Sequence, residues 1–182
     1  MRNQFVGDIN DYHKYNTLNE LANSSEVNVC WMLNEDIDGQ DSKFTKIKRF
    51  DPLALFLEEL TEGRRRNIEE IEGCGFVKVK NFYRQIEDIN VDEISGILFF
   101  DPDNGIEVKS AKKNDRRYLY YRDIKRFIPY ADILVYQHFP RVQREQYMED
   151  ITLKILKNVV CSTVLHYPQS MVDFILIKRW IF

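Results

Sequence analysis

One stretch of the chain concentrates the residue types that can do chemistry. In ILFFDPDNGIEVKS an apolar run stops at Asp101-Pro102-Asp103-Asn104-Gly105, and Glu107 and Lys109 follow. A carboxylate and a rigid proline at the end of a buried strand can hold the exocyclic amine of a base, because the carboxylate accepts its N–H and the proline fixes the backbone that presents the acceptor. Asp101, Asp103 and Glu107 can instead hold Mg²⁺, with Lys109 stabilising the charge that develops on a phosphate during phosphodiester hydrolysis. Phosphoryl transfer through an aspartyl nucleophile is a third chemistry that suits an acidic turn such as Asp101 to Gly105. The same composition is also what a plain polar turn uses.

Two further groups join this list. Near the N-terminus Phe5, Gly7, Asp8, Asn10, Asp11 and Lys14 form a polar cluster in FVGDINDYHKY. Gly7 supplies backbone freedom, while Asp11 and Lys14, three apart, share one face of a helix and can close a pocket or simply cap and pair on its surface. Later, DILVYQHF ends at His138, a candidate base or base-stacking residue, with Tyr136 and Gln137 on the same strand end as binding candidates. Arg64 to Arg66, and Lys109, Lys112, Lys113, Arg116 and Arg117 followed by Tyr118, Tyr120 and Tyr121, are basic runs. Basic residues beside aromatic ones suit single-stranded nucleic acid, and equally a solvated loop before core tyrosines.

Elements that position these groups are readable from periodicity. Residues 11–23 repeat apolar side chains every three to four positions, which predicts a helix with Asp11 at or near its N-cap. VNVCWML (27–33), ISGILFFD (94–101) and DILVYQHF (132–139) read as buried strands, and FVKVKNF (76–82) alternates as a strand does. Asp51-Pro52 opens a helix that Gly63 closes, RRRNIEEIEG continues as a shorter one ending near Gly73, YRQIEDIN forms a helical turn, and YRDIKRFIPYA is helical. A helix after Pro140 runs to about Asn158. VVCSTVLHY and MVDFILIKRW then form two strands joined closely enough to pair antiparallel. Strands that are apolar throughout and alternate with helices predict an α/β fold, a three-layer, Rossmann-like, mostly parallel sheet with an antiparallel C-terminal strand. In such sheets ligands lie beyond the carboxyl ends of the strands, where Asp101 and His138 fall.

Bulk properties bound the reading. With 182 residues, 44% hydrophobic and 13% aromatic, the chain makes one domain over 1–182 and can bury a core. Its net charge of −3 gives no overall electrostatic case for nucleic acid, so such binding needs a local basic patch. Cys30, Cys74 and Cys161 are odd in number and lack CxxC spacing, so neither a disulfide-linked partner nor structural zinc is expected. No signal peptide or membrane-length apolar stretch is readable, and a cytoplasmic protein is the expectation.

FVGDINDYHKYNTLNELA resembles the opening of bacterial large-subunit ribosomal RNA adenine-N6 methyltransferases, where a Gly, an Asp and a Lys stand as Gly7, Asp11 and Lys14 do here. ILFFDPDNG is similar to that family's Asp-Pro-Pro-Tyr strand end, with Asp101 and Pro102 kept and Asp103 and Asn104 replacing the second Pro and the Tyr. ILVYQHFPRVQREQYMEDI resembles the strand and helix that follow. About half the chain is covered, in the same order. GDxNDYxKY and FFDPDNGIEVKS also resemble an uncharacterised bacterial and phage family. The resemblance implies a Rossmann-like fold, S-adenosylmethionine as cofactor, and methyl transfer to an amine of a nucleotide or nucleic acid, with Asp101 as amine acceptor. It equally allows a non-catalytic, degenerate methyltransferase-like binding module. The sequence departs from the family after its first strand, where NEDIDGQ offers a single Gly39 instead of a run of small residues.

Overall fold

The computed structural model describes residues 1–38, 47, 49–140, 142–169 and 172–180. Helices form where caps and periodicity agree. In α1 (Ile9–Leu21) the cap is Asp8 rather than the expected Asp11: its carboxylate accepts the backbone N–H groups of Asn10 and Asp11, which frees the Asp11 side chain to turn inward. In α2 (Pro52–Glu62), Asp51 accepts from the Ala54 amide at 3.0 Å, Pro52 occupies the first turn, and Gly63 ends the helix. Leu53, Leu57 and Leu60 fall on one face of α2 and are buried, each contributing about 1.5–3 kcal/mol of transfer free energy. A shorter α3 (Ile68–Gly73), capped by Asn67, follows.

The strands are β1 (Val27–Cys30), β2 (Asn81–Tyr83), β3 (Ile97–Phe100), β4 (Asp132–His138), β5 (Thr163–Pro168) and β6 (Val172–Lys178). They join in one sheet of order β2-β1-β3-β4-β6-β5. β1 pairs in parallel with β2 and β3, and β3 with β4, while β6 runs antiparallel to both β4 and β5. The fold is thus α/β with a mixed, mostly parallel sheet, and the expected antiparallel last strand is present. Between these strands lie α4 (Tyr121–Phe127) and α5 (Arg144–Asn158), which complete the five α-helices of the described residues. Among those residues no helix is long and apolar enough to cross a membrane, and the three cysteines are free.

Side chains that alternate along the strands feed two apolar clusters. Val29, Phe99, Leu134 and Phe174 pack with Tyr15 and Leu18 of α1, the α2 leucines, and Ile68 and Ile71 of α3. Leu98, Phe100, Val135 and Ile175 pack with Ile124 and Phe127 of α4 and Ile151 and Ile155 of α5. Cys30 and Cys161 belong to the second cluster, and burial pushes the Cys30 thiol up to about 12, so it stays protonated.

The strand expected over 76–82 forms only at Asn81–Tyr83. Upstream, the Asn19 amide of α1 takes both backbone groups that pairing would use: its Nδ2 donates to the Phe76 carbonyl at 2.7 Å and its Oδ1 accepts the Lys78 N–H at 2.8 Å.

Candidate active site at the carboxyl ends of β1, β3 and β4

β1 lies between β2 and β3, so the winding of the sheet reverses there. The crevice beyond such a reversal is where open α/β sheets hold ligands. The turn out of β1 is tight: Met32 adopts φ +47°, a left-handed conformation rare for a bulky residue, and its side chain is buried. Trp31 turns into the core between Tyr15 and Phe82 and leaves the crevice clear. Gly39 lies outside the described residues.

Five separate segments meet in this crevice. A cleft of about 430 Å³ is lined by Phe5, Asp8, Asn10, Asp11 and Lys14 from the N-terminal segment, Asp101 to Asn104 from the end of β3, and Tyr136 and His138 from β4, with Met1, Arg2, Ile37 and Arg117 closing it. At its base Lys14 Nζ stands 2.8 Å from Asp11 Oδ1 and 2.7 Å from Asp101 Oδ2, with the Tyr136 ring 4.8 Å away. All three ionisable groups are buried to within 3% of full coverage.

Two carboxylates sharing one cation leave an excess of negative charge in a site of low polarisability. Burial is the dominant effect on Asp11 and raises its pKa to about 6, against the opposing pull of Lys14. Lys14 stays protonated, because the two carboxylates outweigh the cost of burying its charge. Asp11 Oδ2 is further held by the Gly7 N–H at 2.8 Å and the Tyr15 hydroxyl at 3.2 Å.

Gly7 explains its own presence. It sits at φ +94°, and a Cβ there would meet Thr61 Cγ2 at 2.9 Å and the Leu57 carbonyl at 3.2 Å. Gly7→Ala is expected to destabilise the chain by about 1–3 kcal/mol. Urea unfolding checks this, and an unchanged midpoint would contradict it.

Asp103 is engaged differently. Its Oδ1 lies 2.8 Å from the Met1 ammonium, while its Oδ2 accepts from Arg2 Nε at 3.0 Å and Asn34 Nδ2 at 3.2 Å. The Met1 ammonium also donates to the carbonyls of Asp101 at 2.9 Å and Met32 at 3.4 Å. The ends of β1 and β3 therefore present a ready set of oxygen acceptors for a primary ammonium. Pro102 and Asn104 line the mouth, and the Asn104 amide is tied to the Arg117 carbonyl at 2.9 Å. His138 lies at the open rim, 5.1 Å from the Tyr136 ring; the protein mass around it lowers its pKa below the usual imidazole value, so it is neutral at pH 7.

Three expectations need correction. Glu107 does not join Asp101 and Asp103: the bridge between Ile106 and Leu119 carries it to the start of α4, where it accepts the Tyr121 N–H at 2.7 Å. Lys109 is exposed beyond it. With Asp101 bonded to Lys14, and Asp103 to the Met1 ammonium and Arg2, these residues do not fit Mg²⁺, and no group of three His, Cys, Asp or Glu among the described residues can hold a metal. An aspartyl nucleophile at Asp101 meets a related obstacle, since Asp101 is buried and its Oδ2 is held by Lys14 at 2.7 Å. Gln137 is not a cleft residue. It faces the other side of the sheet, where its Oε1 accepts the Ile106 N–H at 2.7 Å and fixes the turn after β3.

The basic runs are partly spent on structure. Arg66 donates to the Gln4 carbonyl at 2.9 Å, and Arg117 pairs with Asp115 at 2.7 Å while reaching the cleft. Tyr120 is held by the Asp115 amide and lies under the Arg122 guanidinium. Comparison with protein-family models, curated proteins and solved structures gave no match.

Proposed function

We propose that this chain is a Rossmann-like, three-layer methyltransferase that uses S-adenosylmethionine to methylate an exocyclic amine of a base, in a nucleotide or a nucleic acid. The observation that carries this reading is the convergence of Asp11 and Lys14 with Asp101-Pro102 at the end of β3, in one cleft at the reversal point of the sheet. These are the positions by which the sequence resembles adenine-N6 methyltransferases. The alternation of the strands between two helix-covered apolar clusters supports the layered architecture.

The cofactor's amino-acid end fits the acceptors found here. The carbonyls of Met32 and Asp101 and the carboxylate of Asp103 already hold an ammonium, that of Met1, and would hold the cofactor's in its place. The left-handed turn at Met32 stands in for the small-residue loop that the sequence lacks. An adjoining hollow lined by Leu33, Asn34, Glu35, Asp36 and Gln85 offers carboxylates for ribose hydroxyls. The cofactor, when bound, supplies an electrophilic methyl group on a sulfonium.

The chain's own residues would do the rest. An exocyclic amine is a weak nucleophile because its lone pair is delocalised into the ring. Asp101 would accept one of its N–H bonds, fix the direction of the lone pair, stabilise the positive charge that nitrogen gains as the N–C bond forms and the methyl–sulfur bond breaks, and take up the proton that nitrogen then loses. Lys14 occupies Asp101 Oδ2 and so commits the other oxygen to the amine. His138, at the rim and edge-on to the buried Tyr136 ring, offers an aromatic face on which the base can stack. Tritiated methyl transfer to short single-stranded DNA and RNA, with recovery of N-methylated nucleosides, tests the reading. Absence of label from both, in a chain that binds the cofactor, would leave the binding-module reading instead.

A further inference from the structure

The sheet ends at β5, and among the described residues nothing pairs with its outer edge. The direction of its free groups follows from one bond: the Gln169 N–H donates to the Val172 carbonyl at 2.8 Å, so odd-numbered residues of β5 face β6, and Val164 and His166 direct N–H and C=O outward. Pro168 has the same outward parity, the one place in a sheet where a missing N–H costs nothing. Edge strands are normally blunted by charge, by proline or by bulges, and in β5 Pro168 does this at the last position. Thr163 to Tyr167, reading TVLHY, carries neither lysine nor glutamate.

Beside this edge runs a groove of about 560 Å³ between α5 and β5, lined by Glu145, Met148, Glu149, Thr152, Leu153 and His166. Its floor is apolar and its rim acidic. Neither Glu145 nor Glu149 has a cationic partner among the described residues. The groove is preformed, because His166 is fixed from both sides: its Nε2 lies 2.7 Å from Thr152 Oγ1, and its Nδ1 is bonded to the fully buried carboxylate of Asp173. Leu165 and Tyr167 expose apolar surface on the opposite face of the same strand, and Val160, three residues before it, is exposed as well.

We infer that the outer edge of β5 is a docking site for an extended segment of a partner protein, which adds a strand to the sheet, seats an apolar side chain in the α5–β5 groove and faces Glu145 and Glu149 with lysine or arginine. The unpaired edge calls for a strand rather than a helix, since only a strand satisfies alternate N–H and C=O groups. Side chains alternate along that strand, so a basic residue two positions from the apolar one lies on the same face and meets the acidic rim.

Panning the full chain against a library of acetylated peptides, with a fixed central leucine and degenerate flanks, tests this. The expected result is enrichment of lysine or arginine two positions from the leucine. Binding of the best peptide should slow amide exchange at Val164 and His166. N-methylation of alternate peptide nitrogens should abolish that binding, and Glu145→Lys with Glu149→Lys, in a chain of unchanged unfolding midpoint, should weaken it about tenfold. Failure to enrich any peptide would overturn the inference, as would equal binding of the N-methylated peptide. So would self-association that protects the same two amides, since a second copy of the chain would then fill the edge.

Discussion

Replacing Lys14 by methionine should cost about 3–5 kcal/mol of stability at pH 7, the usual penalty for stripping a buried charge of its partner. Methionine keeps the length and apolar stem of lysine, so the loss reports charge rather than a cavity. Asp11 and Asp101 would be left facing each other, buried, without the ammonium that stands 2.8 and 2.7 Å from them. The pH dependence distinguishes this from a packing defect. In the native chain the Asp11 pKa of about 6 lies above its ordinary 3.8, so the folded state binds that proton more tightly. Its contribution favours folding fully below about pH 4 and fades as pH rises through 6, a change on the order of 3 kcal/mol. Without Lys14, which pulls the other way, Asp11 holds its proton more tightly still. The penalty of Lys14→Met should therefore shrink as pH falls from 7 to 5. Urea unfolding at the two pH values measures it, and a loss below about 1 kcal/mol at pH 7 would contradict the buried triad.

Under the proposed methyl transfer, Asp101→Asn is the second variant with a large expected effect. Asparagine has nearly the shape of aspartate but no charge, so it still accepts a hydrogen bond while losing the electrostatic stabilisation of the developing positive nitrogen. Methyl transfer should fall by about 10²–10³, the scale found when one preorganised polar group of a reaction centre is removed. Cofactor affinity should stay close to that of the native chain, because the Asp101 atom assigned to the ammonium is its backbone carbonyl. A parallel loss of binding and transfer would instead indicate that the ends of β1 and β3 had collapsed.

How much of this was readable in the sequence depended on range. Local signals carried through: Asp51-Pro52 with leucines at 53, 57 and 60 gave α2, and the continuous apolar runs gave β3 and β4. Parity alone could have separated Gln137 from His138, because successive strand residues face opposite sides, yet only the packing tells which side is the cleft. The cap at α1 was misplaced by three residues because Asp8 and Asp11 are chemically equivalent candidates, and burial of Lys14 beneath Asp101 chose between them. The strand expected at 76–82 failed because a distant amide, that of Asn19, competes for its backbone. Nothing local marked Met1 and Arg2 as partners of Asp103 or Met32 as a left-handed turn. The hydrogen bonds that Met1 and Arg2 donate join residues 31 to 101 positions apart.

The most direct measurement is calorimetric titration of the intact chain with S-adenosylmethionine. Saturable heat from one molecule per chain is the predicted result, reduced when Asp103→Ala removes the side-chain acceptor from the set that now holds the Met1 ammonium. No heat of binding from a chain that still unfolds cooperatively would contradict the proposal that the crevice beyond β1 and β3 is a methyl-donor site.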